Sequence, residues 1–272
     1  VNNDHIHHGM GFSFNFLLML CFLLVFVLYI FAAIVSNRHH KPWPLFRYFF
    51  WTIGVLSAGV AVIGPLANRA HIDFTAHMTG HLLLGMLAPL FLALAAPMTL
   101  VLRTLSVKSS RRLSRILKSG IFRILSDPLI ASFLNVGGLY LLYTTNLYMM
   151  MQQSLALHIW VHLHVFLAGY IFTVSMVYFD LSPHRTSYIY RAIVFIIALA
   201  GHGILSKYIY SNPPSGVAAV QAENGGMLMY YGGDVIDVVI IIIFCFQWFK
   251  ATHPRKSINI NKSTKQTADF VD

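Results

Sequence analysis

Charge is scarce in this sequence. Asp, Glu, Lys and Arg make up 10% of 272 residues, against about 25% in a soluble domain, and only nine are acidic. A chain so poor in charge cannot cover a water-facing surface, which excludes a soluble globular domain. Cysteine is nearly missing as well. Cys21 and Cys245 each sit in an apolar run and form no C-x-x-C pair, which excludes a disulfide framework and a Cys-rich zinc site. There is no phosphate-binding loop, no nucleophile motif and no fixed-period repeat, so nothing marks the chain as an enzyme. The net charge of +10 would suit a nucleic-acid partner only if the basic residues formed a domain. They are scattered between apolar runs instead, and nucleic acid is excluded.

What is abundant is hydrocarbon: 57% of the residues are hydrophobic and the mean hydropathy is +0.67. About 20 apolar residues span a bilayer as a helix, and seven segments qualify: 12–35, 46–65, 77–101, 128–148, 158–179, 191–209 and 233–249. The expected fold is therefore all-α, a polytopic membrane bundle of seven transmembrane helices forming one domain over 1–250, followed by a polar tail over 251–272. The first segment is too long for a signal peptide and lacks a basic start and a small-residue cleavage site, so it is expected to be a retained span.

Orientation follows from the loops. With the N-terminus outside and the C-terminus cytoplasmic, all of the 19 basic residues except Arg69 and Lys207 fall on the inner side, as the positive-inside rule requires. The stretch RTLSVKSSRRLSRILKSGIFR after span three interleaves Leu and Ile with basic residues, the pattern of an amphipathic helix on anionic headgroups.

That orientation gathers polar side chains at the outer face. His77 and His81 open span three, His158, His162 and His164 open span five, His202 lies in the outer half of span six, and Asp234 and Asp237 open span seven. Residues four apart share a helix face, so Asp73, His77 and His81 form one stripe and His158 and His162 a second. His164 is two residues past His162 and points elsewhere. Gly201 and Gly203 flank His202 and allow close helix approach. Ionisable groups in spans usually face a bundle interior or a wet cavity.

Imidazoles on two or three helices, with a carboxylate and the thioether of Met78 nearby, form a donor set for copper or zinc; thioethers favour Cu(I). The expected ligands are His77, His81, His158, His162 and His202. Asp73, Met78, His164 and Asp237 are additional or supporting groups, since a carboxylate can fix an imidazole's tautomer. The N-terminal HIHHGM supplies His5, His7, His8 and Met10 as a metal-capturing arm. Three other readings stay open: a copper transporter, a metal-free scaffold with structural histidines, and a haem protein using a pair such as His81 and His162. A retinal protein is excluded because span seven has no lysine for a Schiff base.

The run HMTGHLLLGMLAPLFLALAAPMTLVLRTL resembles the signature span of the Bacillus-type CtaG family, assembly factors for cytochrome c oxidase of the caa(3) class. The matching residues are His77, Met78, His81, Ala88, Pro89, Pro97 and Arg103. LHIWVHLHVFLAGYIF, GHGILSKYIY and AENGGMLMYYGGDVID are also similar to this family. The resemblance implies a multi-pass protein of the bacterial plasma membrane that helps to make an active haem–copper oxidase by handling copper. Its partners would be oxidase subunits and an extracytoplasmic copper donor.

Overall fold

The structure, a computed structural model, describes residues 4–180 and 184–253. Among them every regular element is helical. The main helices are α1 (Asp4–His39), α2 (Leu45–Val62), α3 (Phe74–Leu94), α4 (Pro128–Thr144), α5 (Leu155–Met176), α6 (Tyr188–Ser211) and α7 (Ala219–Thr252). Six are long and apolar enough to cross a bilayer, and α4 makes a seventh if its bent continuation, Leu147–Gln153, is counted with it. The chain is a multi-pass membrane protein. The side chains of His5, His7, His8 and Met10, and the tail from residue 254, lie outside the described residues.

Three helices start three residues before the positions that hydropathy suggests. Each time a capping side chain sets the boundary: Asp73 accepts from the Thr75 and Ala76 amides at α3, Ser154 from Leu157 at α5, and Ser187 from Tyr190 at α6. Such caps satisfy amides that a helix start leaves unpaired. The largest difference is α7, which begins at Ala219 rather than near 233. Its glycines do not loosen it; they let it press against its neighbours. A Cβ on Gly226 would lie 2.8 Å from the Ser206 carbonyl oxygen of α6, and one on Gly225 2.7 Å from the Phe74 ring of α3.

The expected third span, 77–101, is interrupted twice. Residues Leu83–Leu87 form a π-turn, and the cause is Pro89, which has no N–H to return to the Gly85 carbonyl. The helix ends near Leu94, Ala96 takes a left-handed conformation (φ 51°), and Pro97–Thr104 forms a separate helix. Asp180 caps that helix from a distant part of the chain, accepting from the Met98 and Thr99 amides at 2.7 Å. The Pro89 π-turn has a structural use. A Cβ on Gly169 of α5 would stand 2.0 Å from the Gly85 carbonyl oxygen, so α3 and α5 meet backbone to backbone.

Apolar contacts between helices gain little in lipid, so packing and hydrogen bonds hold the bundle together. At α1 the Tyr29 hydroxyl donates to the Ala95 carbonyl at 2.8 Å and accepts from Trp43 Nε1 at 3.0 Å, while its ring stacks on Trp51. The basic stretch after α3 folds as two short helices, Val107–Leu117 and Gly120–Leu125, capped by Ser106 and Ser119.

Candidate functional site

α3, α5, α6 and α7 bring most of the singled-out histidines together at the end of the bundle opposite the basic loops. His77 and His81, one turn apart on α3, are both buried. The His77 ring lies 6.2 Å from that of His162 on α5, and His162 lies 4.1 Å from His158. The His81 ring also lies 6.5 Å from that of His202 on α6. The five expected ligands thus form two groups, joined through α3.

Hydrogen bonds fix several of these rings. His77 Nε2 is 3.0 Å from the Tyr143 hydroxyl of α4. His162 Nδ1 lies 2.9 Å from the His158 carbonyl. A carbonyl only accepts, so the proton is on Nδ1 and the Nε2 lone pair of a neutral ring is free. The same reasoning puts the His164 proton on Nε2, which donates to the Leu134 carbonyl at 3.1 Å. By contrast, Nε2 of His81, Nε2 of His202 and Nδ1 of His158 are buried without partners. Buried polar atoms are seldom left unpaired.

Two small cavities lie beside these atoms. One, of about 10 Å³, is lined by His77, His81, His162 and Tyr143. The other, of about 20 Å³, is lined by His81, Asn135, His202 and buried Asp237. Each is close to the size of one water molecule. His81 borders both and connects them. Close packing defines the second cavity: a Cβ on Gly233 of α7 would stand 2.6 Å from His202 Cε1.

The other expected residues fall outside this arrangement. Asp73 uses both carboxylate oxygens locally, one on the Thr75 and Ala76 amides and the other on Arg69 Nε at 3.0 Å. Slight burial pulls its carboxyl up, but these backbone and Arg69 contacts win and hold it below the usual carboxylate value. Met78 is fully buried against α7 at Gly225. His164 is exposed and turned toward α4.

Reasoning from the sequence missed His71, Tyr143 and Asn135. His71 is exposed, stacks on His158 at 5.0 Å and contacts Gln152. Its signal was a histidine two residues before a capping aspartate, in the loop that leads to the His77 helix. Tyr143 carried none, since it reads as an ordinary residue of an apolar span. Asn135 stands out as a polar residue in span four, but reads as lying toward the cytoplasmic half, away from His81 and His202, whose cavity it lines. Among the described residues, no group of three or more His, Cys, Asp or Glu side chains is arranged to hold a metal ion as it stands.

The class defined by this fold and site is a polytopic membrane bundle with paired histidines enclosed among four helices. More narrowly, the model of the cytochrome c oxidase caa3 assembly factor family matches residues 27–251. The chain belongs to that family. It is also similar to an uncharacterised protein of Mycobacterium leprae, at 24% identity over 83% of this chain and 37% of that protein. Uncharacterised proteins of Mycobacterium bovis and Mycobacterium tuberculosis are 30% identical over 58% of this chain and 25% of theirs. The chain therefore spans well under half the length of these relatives. No solved structure matches it.

Proposed function

We propose that the chain supports assembly of a haem–copper cytochrome c oxidase by binding copper among its paired histidines and passing it to an oxidase subunit. The observation that carries this reading is His81: its Nε2 is buried and unpaired, it borders two small cavities that other histidines also line, and it lies beside a second unpaired imidazole, His202. Imidazole nitrogens suit copper and zinc, and an ion held between two rings at about 2 Å per nitrogen separates their centroids by roughly 6 Å. The His81–His202 separation of 6.5 Å fits. His77 and His162 are the other pair, and Asp237 is the carboxylate beside His202. Pairs rather than larger sets leave coordination open for the recipient to complete, which suits cargo more than a resident ion. In this reading the histidine end, opposite the basic loops, faces outward and receives copper there. The role is one of assembly rather than catalysis.

The test is elemental analysis of purified protein after loading with Cu(I) or with zinc, beside His81→Ala, His202→Ala and the His77→Ala/His81→Ala double variant. Bound copper should be present in the native protein, reduced in each single variant and lowest in the double. A native protein that retains neither metal would overturn the copper role. One observation favours a metal-free scaffold as the second reading: no three-ligand group is arranged among the described residues. Oxidase activity in cells lacking the protein separates the two readings. Rescue by added copper supports delivery, and a defect indifferent to copper supports the scaffold.

A further inference from the structure

The opposite end of the bundle carries a second concentration of polar side chains, away from the paired histidines of α3, α5 and α6. Between Asp73 and Asp127 the sequence contains no acidic residue at all, while Arg103 through Arg123 holds seven basic ones. The short helices fold this charge into an open groove of about 930 Å³ lined by His40, Arg103, Arg111, Arg115 and Lys118, with Ser114 and Ser119. Among the described residues the ion pair formed is Arg69–Asp73, and no described carboxylate pairs with the groove's cations. Such a concentration of uncompensated charge in a concave surface attracts an anion.

An adjoining feature narrows the anion's identity. Behind Val107–Leu117 and Gly120–Leu125 lies an apolar cavity of about 150 Å³, lined by Leu117, Phe122, Tyr170, Ile171 and Val174 among others. Its one carboxylate, Asp180, is already engaged by the Met98 and Thr99 amides. Consecutive residues line the two spaces: Leu117 the apolar cavity and Lys118 the basic groove. A free phosphate has no use for the apolar half, and a neutral lipid has none for the cations. A molecule with a phosphate at one end and an acyl chain at the other uses both.

We infer that this paired groove and cavity bind an anionic phospholipid, with its headgroup phosphate among Arg111, Arg115 and Lys118 and an acyl chain in the cavity beneath Leu117. Guanidinium groups bind phosphate oxygens in a bidentate manner, and the serine hydroxyls are further donors.

The experiment uses the full chain purified in detergent, with phosphatidylglycerol and phosphatidylcholine titrated separately and retained lipid counted by native mass spectrometry. Phosphatidylglycerol should bind at least tenfold tighter, and the Arg111→Gln/Arg115→Gln/Lys118→Gln variant should fall to the phosphatidylcholine level. Arg112→Gln, which lies off the groove, should match the native protein. Val174→Trp, which fills the cavity, should weaken phosphatidylglycerol retention with the groove intact. Equal retention of both lipids by the native protein, or an unaltered preference in the triple variant, would overturn the site. Displacement of the lipid by millimolar inorganic phosphate would show that the groove takes free phosphate, overturning the lipid assignment without relying on any variant.

Discussion

The two ends of this bundle treat polar side chains in opposite ways. At the histidine end, His77, His81 and His202 are buried, enclosed by helices in backbone contact, with cavities no larger than a water molecule. At the basic end, the cations of Val107–Leu117 stand around a wide groove with no carboxylate of the described residues paired to them. Burial without full pairing is costly, so imidazoles held that way depend on precise packing around them. Exposed cations cost little and tolerate change. The contrast separates a site defined by packing from one defined by charge density.

Glycine substitution should expose the contrast most sharply. Gly169→Ala at the α3–α5 contact places a methyl where the Gly85 carbonyl already stands, 2.0 Å from its oxygen. The helices must part, and a loss of about 3 kcal/mol or more is expected. Gly120→Ala at the basic end meets nothing within 4 Å and should change stability by less than about 1 kcal/mol, in the favourable direction. Unfolding of both variants in detergent micelles measures the difference. Equal effects would mean that α3 and α5 are not in backbone contact.

A second comparison lies within the basic residues. Arg191 is 1% exposed, donates to the Met176 carbonyl at 2.7 Å and lies over the rings of Tyr178 and Tyr188 at 4.1 and 4.3 Å. Arg191→Met gives up a charge-assisted hydrogen bond and three cation–π contacts, the third to Phe244 at 5.2 Å, and about 2–3 kcal/mol should be lost. Arg112→Met, on an exposed helix face, should stay within about 0.5 kcal/mol of the native protein. If the two variants unfold alike, the Arg191 cage contributes nothing.

Much of this architecture could be read from the chain, and the gaps have physical reasons. Apolar run length identified the bundle, and i,i+4 spacing put His77 with His81 and His158 with His162, because both patterns are local. The starts of α3, α5 and α6 were misplaced because hydropathy does not register the caps at Asp73, Ser154 and Ser187. The early start of α7 was hidden because Gly225, Gly226, Gly232 and Gly233 suggest a loop when no neighbour is in view. The pairing of His81 with His202 was out of reach, since it depends on how α3 meets α6. Asp73 looked like a member of the histidine stripe, yet the same spacing made it the cap that starts the helix.

Tyr143→Phe probes the enclosure more gently. It removes the hydroxyl 3.0 Å from His77 Nε2 and leaves that nitrogen buried without its partner, at a cost of about 1–2 kcal/mol. Tyr190→Phe, at the basic end, removes a half-exposed hydroxyl that donates to Asp127 at 2.9 Å, and water can replace that partner. The difference between the two unfolding midpoints should follow burial. Similar midpoints would mean that the His77–Tyr143 contact is not shielded from solvent.

The smallest expected effect belongs to Asp73, at the mouth of the histidine end, and pH gives it a signature. Asp73→Ala removes a helix cap worth about 1 kcal/mol. Burial is the largest single influence on the Asp73 carboxyl and raises its pKa, but the Ala76 and Thr75 amides and Arg69 together outweigh it and hold the folded-state value below the unfolded one. A depressed carboxyl contributes its stability above the unfolded pKa, about 3.9, and loses it as pH falls through the folded value. The native protein and Asp73→Ala should therefore differ most at neutral pH and converge in acid. Asp73→Asn, which keeps the capping oxygen without the charge, should remain close to the native protein in acid and fall below it at neutral pH by the charge's share alone. If the gap between native and alanine proteins is the same at pH 7 and pH 3, the cap does not depend on the carboxylate's charge.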